Sequence, residues 1–398
     1  MRIYLDHNAG APLRPEVRAA IARFTEADEA TNPAAVHRSG QRARRALEEA
    51  RARMARLIGA AAGEVIFTSG GTESNNLAIR GVAGAQPARR TIVSSAIEHS
   101  SVLAPLEYLG GRGFRVVRIA PDRDGRIAPA AVAGALDADT ALVTMGLANA
   151  EVGTIQDVAA MAGPIARAGA LLHIDAAQAA GRIPLGVDDL RCDLLTISGH
   201  KLGAPAGIGA LYLRAGVALT SAMLGGPQEA GMRAGTPNLL GAVATGVAAE
   251  AAGAHLGEES ARVAALAARL LEGLHASIPD LRLNGSAGGK IANTLNLTFP
   301  GVLGESMLIA LDLEGVEVSM GSACAAGAVE PSHVLLAMGL SRDEARSSLR
   351  LSLGWSTTAA EIDRAVEIIA RVWRRVRAAE PLAAVVSDRT AAAAEGLR

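Results

Sequence analysis

The chain has 398 residues, half of them apolar, with 39 basic against 40 acidic residues and a formal net charge of -1. That composition supplies a core for one large α/β domain or two packed ones and excludes global disorder. Mixed, balanced charge argues against a nucleic-acid footprint or an anionic-membrane patch, and two cysteines exclude a disulfide framework or a four-cysteine zinc site.

Short apolar runs alternate with helix-period segments over the first two-thirds. The runs are 65–69, 91–95, 114–119, 141–145, 171–176, 194–198 and 208–213. Several are apolar on successive residues, as expected for strands buried on both faces. Between them, residues 40–58 place Ala43, Leu47, Ala50, Met54 and Ile58 near one stripe with arginines opposite. Alternating strand and helix predicts a mostly parallel sheet covered on both sides. A long Ala/Leu-rich helical stretch is expected over 239–276, then strand-like 294–299, the apolar segment 307–313, a loop around Cys324, strand-like 348–353 and a last helix from Ala359. These divide the chain into a large domain, 16–258, a small α+β domain, 1–15 with 259–380, and a flexible tail, 381–398. With no apolar run of about 18 residues and no signal-peptide pattern, a soluble cytoplasmic protein is expected.

Of the 39 basic residues only Lys201 and Lys290 are lysines; the other 37 are arginines. Lys290 sits beside two glycines and needs no special role. Lys201 ends Ser198-Gly199-His200-Lys201, directly after an apolar run. A lysine there can lose its proton and act as a nucleophile, whereas a guanidinium cannot.

Ligands in open α/β sheets bind beyond the carboxyl ends of the strands, so polar clusters that follow the runs matter most. Thr68-Ser69-Gly70-Gly71-Thr72 can hold a phosphate on helix N–H groups and the Thr72 hydroxyl, or form an ordinary capped turn. His99, in Ile97-Glu98-His99, is either structural or a stacking imidazole. Asp175, in Asp175-Ala176-Ala177-Gln178, is either a helix N-cap or a carboxylate facing a cationic ring nitrogen, with Gln178 in reach of a ring substituent. With Ser198 to Lys201, the set fits pyridoxal 5'-phosphate (PLP), held by a lysine Schiff base with a carboxylate opposite its pyridine nitrogen. Cys324 stands among small residues suited to a mobile, exposed loop, where a thiol of lowered pKa is a nucleophile. Cys192 reads as inert packing. Arg350, inside a strand-like run, is a solvated face residue or a carboxylate clamp.

On these residues, and on Asn32-Pro33, Arg233-Ala234-Gly235-Thr236-Pro237-Asn238, Gly321 to Cys324 and Glu330 to Leu335, nearly the whole chain resembles the cysteine desulfurases. The resemblance is to the nitrogenase-linked and housekeeping iron–sulfur group of the class V aminotransferase family. It implies the aspartate-aminotransferase-like fold, PLP-dependent transferase fold type I, in a homodimer with active sites at the subunit interface. Lys201 would bind the cofactor, His99 stack on its ring, Asp175 pair with the ring nitrogen and Gln178 with the ring oxygen. Gly71, Thr72, Ser198 and His200 would hold the phosphate, helped by Thr236 from the other subunit. Arg350 and Asn32, with Asn149 nearby, would bind the L-cysteine carboxylate. Cys324 would carry the sulfur as a persulfide to an iron–sulfur scaffold protein or another acceptor, and through it touch that partner's cluster or metal. Departures from the family pattern are Gly10 and Ala11 for a pair of threonines, Ala150 for a second asparagine and Leu147 for a histidine. Two other readings are a lyase for selenocysteine or cysteine sulfinate, in which Cys324 is dispensable, and a weakly active PLP-binding partner protein.

Overall fold

The computed structural model describes residues 2–27, 31–321 and 330–395, with side chains through residue 379. Its strands, in chain order, are β1 (Ile3–Tyr4), β2 (Val65–Thr68), β3 (Thr91–Ser95), β4 (Arg115–Ile119), β5 (Thr140–Gly146) and β6 (Leu171–Asp175). They continue with β7 (Leu194–Ser198), β8 (Gly209–Leu213), β9 (Arg282–Asn284), β10 (Thr294–Thr298), β11 (Val316–Glu317) and β12 (Ser348–Ser352). All seven apolar runs are therefore strands.

They form one sheet in the order β2-β8-β7-β6-β5-β3-β4. β8 runs antiparallel to both β2 and β7, and these two reversals leave β2 parallel to the remaining strands. The other pairings are parallel. The carboxyl ends of β2, β3, β5, β6 and β7 thus share one edge. Interior β7 is buried at every residue, its Thr196 and Ser198 included, as expected of a strand covered on both faces, while outer β4 exposes Arg115 and Arg118.

The 40–58 stripe lies on the helix Arg38–Ile58, and Ala43, Leu47, Ala50, Met54 and Ile58 are buried there. The 239–276 stretch is two helices, Leu239–Ala254 and Leu256–Ser277, bent by 73° at His255. The physical reason is that the two halves serve different cores. Ala242, Ala244, Ala248 and Ala252 pack in the large core, whereas Val263, Leu270 and Leu274 join a second one. That second core gathers Ile3 and Leu5 with Leu297, Phe299, Leu351 and Trp373 around the antiparallel sheet β12-β10-β9. β1 pairs with β11 beside it, which delivers Asp6 to Gly10 to the ligand edge of the large sheet. The last helix, Ala359–Glu395, continues through the segment expected as a tail; its alanine run 391–394 has high helix propensity. No single helix among the described residues is long and apolar enough to cross a membrane.

Candidate active site

A cavity of about 550 Å³ opens at the shared strand edge. Gly71, Thr72, His99, Asn149, Asp175, Gln178, Ser198, His200, Lys201 and Arg350 all line it. Ten of the residues singled out in the sequence are thereby brought together from separate elements.

Asp175 ends β6. Its Oδ2 accepts from Asn75 Nδ2 at 2.8 Å and its Oδ1 from the Ala177 N–H at 2.9 Å. The chain then turns without entering a helix before Val187, so Asp175 is not a helix N-cap. Lys201 is carried off the end of β7 by the single turn Gly199–Leu202. Burial holds its amine down at about 8, against the opposing pull of Asp175. His99 caps the helix Ser100–Gly110, its Nδ1 accepting from the Ser101 N–H at 3.1 Å. Burial, then the charge of Lys201, lowers its pKa and keeps the imidazole neutral. His99 is therefore a helix cap whose ring also lines the cavity. Asn75 also donates to Ser101 Oγ at 2.8 Å, which ties Asp175 to the residue that holds His99.

The candidate phosphate loop of the sequence lies where β2 gives way to the helix Gly71–Ala85, and its Gly71 and Thr72 line the cavity. Gly70 turns the chain at φ 152° and ψ -179°, a region open to glycine alone. No side chain caps that helix, so its first N–H groups face outward for an anion. Ser198 Oγ and His200 Nδ1 lie 3.0 Å apart across from it.

At the opposite end Arg350, on β12, is 5 % exposed, which excludes a solvated face residue. It bonds Asp6 Oδ1 at 2.7 Å and the Ala150 carbonyl at 3.2 Å, while its Nε is buried without a partner. Asn149 donates to the Ile97 carbonyl at 3.0 Å and accepts from the Glu151 and Val152 N–H groups. Its amide is thus committed to shaping the wall. Gln178 donates to the Asn8 carbonyl at 3.0 Å and accepts from Arg182.

Two singled-out residues stay outside the cavity. Asn32 is exposed and accepts from the Ala34 N–H at 2.9 Å, and Thr236 is exposed in the loop before Leu239. Cys324 lies outside the described residues; Ser319 and Gly321, just before it, line the cavity. Among the described residues no cluster of three or more His, Cys, Asp or Glu could hold a metal. Cys192 is buried, its thiol pushed up to about 12 by desolvation. Lys290 donates to the Thr294 carbonyl at 2.8 Å, a structural bond away from the cavity.

Sequence reasoning gave no role to several residues that line the site, among them Asp6, Asn8, Asn75, Glu98 and His333. Glu98 is buried against Ser95, which donates to it at 2.5 Å, and burial pushes its carboxyl up to about 7. Its position one residue before His99 was the available signal. His333 Nε2 lies 3.0 Å from the Glu98 carbonyl. The departures fall in distinct places. Leu147 is buried in the large core, and a side chain at Gly10 would meet His200 Cδ2 at an ordinary 3.6 Å. Ala11 donates its N–H to the His200 carbonyl at 2.9 Å, and the Ala150 carbonyl is shared by Asn8 and Arg350.

Residues 3–365 match the aminotransferase class-V family. The chain is 40% identical over 380 residues to the cysteine desulfurase IscS of Dictyoglomus turgidum, covering 95% of this chain and 96% of that one. It is 43% identical over 385 residues to a cysteine desulfurase of Cereibacter sphaeroides, covering 96% and 98%. A solved NifS-like protein superposes with a TM-score of 0.88 at 32% identity, over 94% of this chain and 99% of the other. The chain belongs to the aminotransferase class-V family, in its cysteine desulfurase group.

Proposed function

We propose that this protein is a PLP-dependent cysteine desulfurase that converts L-cysteine to L-alanine and hands the sulfur on for iron–sulfur assembly. The observation that carries the proposal is one cavity that joins Lys201 to Asp175 and to neutral His99 at adjoining strand ends. The residues fit the cofactor on an independent ground. Asn75 Oδ1 and Arg350 Nε, on residues that line this cavity, are buried without hydrogen-bond partners, and unsatisfied polar atoms beside a cavity are the kind that a bound polar group completes.

Lys201 would hold the cofactor aldehyde, Asp175 its ring nitrogen and His99 its ring face. Gly71, Thr72, Ser198 and His200 would take the phosphate, with Thr236 of the partner subunit. Gln178 reaches the ring oxygen by exchanging its bond to Asn8. Bound there, PLP supplies an electron sink that makes the α-hydrogen of an amino acid acidic. The Lys201 amine, neutral from about pH 8 upward, takes that proton and returns it. Arg350 turns its free Nε to the substrate carboxylate while Asp6 and Ala150 hold the guanidinium. The Cys324 thiolate bonds to the substrate sulfur as the carbon–sulfur bond breaks. The electron pair passes to carbon, which is protonated to give alanine, and a persulfide remains on Cys324. The chain would then divide into a cofactor-binding part, 16–258, and a smaller part, 1–15 with 259–380. A core of Ile3 and Leu5 with residues from Val263 to Val376 supports the smaller part, although Ile291, Val334, Leu335, Met338 and Ala345 pack in the large core.

Mass spectrometry after brief exposure to L-cysteine tests this directly. One added sulfur on Cys324 with stoichiometric alanine is expected. Undiminished sulfide release by Cys324→Ala would instead favour a lyase in which the thiol is dispensable.

A further inference from the structure

β2 is an outer strand of the large sheet, paired with β8 on one side only. Unpaired strand edges are normally covered or blunted, because their N–H and C=O groups need partners. Here the loop 228–233 covers the edge with side chains. Glu229 accepts the Phe67 N–H at 2.8 Å and both terminal nitrogens of Arg51 at 2.6 and 2.9 Å. Arg51 in turn donates to the Val65 carbonyl at 2.6 Å. Two residues after Phe67, the Ser69 N–H donates to Glu73 Oε2 at 2.7 Å, and Arg233 Nε grips Glu73 Oε1 at 2.9 Å.

The loop adopts an uncommon backbone to do this. Glu229 and Ala230 both take left-handed conformations, with φ of 47° and 56°. Such conformations persist in residues other than glycine only where the surroundings hold them. The buried Glu229–Arg51 pair supplies that hold, and it aims Arg233 at the first turn of the helix Gly71–Ala85.

We infer that Arg233 is a positioning residue for the phosphate end of the site, acting through Glu73 on the turn Ser69–Thr72. Two effects combine. The Arg233–Glu73–Ser69 chain fixes the turn whose N–H groups face the phosphate. Arg233 also neutralises a carboxylate that would otherwise repel a phosphate dianion at the same helix start. The inference rests on the proposed PLP site and deepens it, since it concerns the phosphate and not the aldehyde.

The test compares PLP with pyridoxal, which has the aldehyde and ring but no phosphate, by titrating apo-protein and following the visible absorbance band. Arg233→Met should raise the PLP dissociation constant about tenfold, the loss of one charge-assisted contact, and leave pyridoxal binding unchanged. Arg233→Lys should recover part of the PLP affinity. Adding Glu73→Gln to Arg233→Met should also recover part of it, because the repelling charge is gone. Equal weakening of PLP and pyridoxal, or weakening of neither, overturns the inference. If Arg233→Met does not fold, the ratio of PLP to pyridoxal affinity in Arg233→Lys decides, and an unchanged ratio overturns it. A wild-type protein that develops no band with PLP at all overturns the proposed function itself, a distinct result.

Discussion

Lys201 and Glu98 line the same cavity, and burial shifts both toward their neutral forms, the amine downward to about 8 and the carboxyl upward to about 7. Only a neutral amine attacks an aldehyde, so PLP uptake by the apo-protein should quicken as pH rises through about 8, where an ordinary lysine would keep quickening toward 10.5. Stopped-flow growth of the visible band measures it, and Lys201→Arg should abolish the band. Glu98 gives the opposite linkage. Its folded pKa lies above the ordinary 4.5, so the unfolded chain releases this proton first and stability falls as pH rises from about 4.5 to about 7. Glu98→Gln removes that loss. Its melting temperature relative to wild type should rise between pH 5 and pH 8 in apo-protein, and an unchanged difference would show that the carboxyl is ionised throughout. Lys201 and Asp175 were legible as candidates because Asp175 closes one apolar run and Lys201 follows another within three residues. Asn75 was not, because its role depends on a partner 100 residues away.

Among the elements, the first turn after β1 shows how tightly the two cores meet. A Cβ on Gly354 would lie 1.9 Å from His7 Cδ2, and His7 stands between Asp6 and Asn8, which both line the cavity. Gly354→Ala should therefore cost about 1–3 kcal/mol in stability, as overpacking does in a close-packed interior. It should also raise the KM for L-cysteine, because Asp6 steadies Arg350. Denaturant unfolding and steady-state kinetics read the two effects separately. At the same scale the strands were read correctly within a residue or two, since burial on both faces leaves an unbroken apolar signature. The bend at His255 was not, because an apolar helix facing one core and an amphipathic helix facing another join in a continuous Ala/Leu-rich sequence.

At the level of the whole molecule, Asn32 and Thr236 lie on the surface, away from the cavity of their own chain. In the proposed dimer, Thr236 completes the partner's site. Mixing Lys201→Ala with Thr236→Ala chains should then restore activity that neither homodimer shows at limiting PLP. A mixed dimer has one site with both lesions and one with neither, so random exchange regenerates about a quarter of the sites. Activity no greater than the sum of the separate variants would place Thr236 outside the partner's site.

Local pattern determined the strands, the amphipathic helix and which polar clusters stand at the strand ends, because burial and turn geometry act within a few residues of each position. The depth of the cavity, the coupling of Asn75 to Asp175, the pairing of Asp6 with Arg350 and the covered edge of β2 required the fold. Each joins groups far apart in the chain, Asn75 with Asp175, Asp6 with Arg350 and Phe67 with Glu229, and no periodicity in the residues between them encodes that distance.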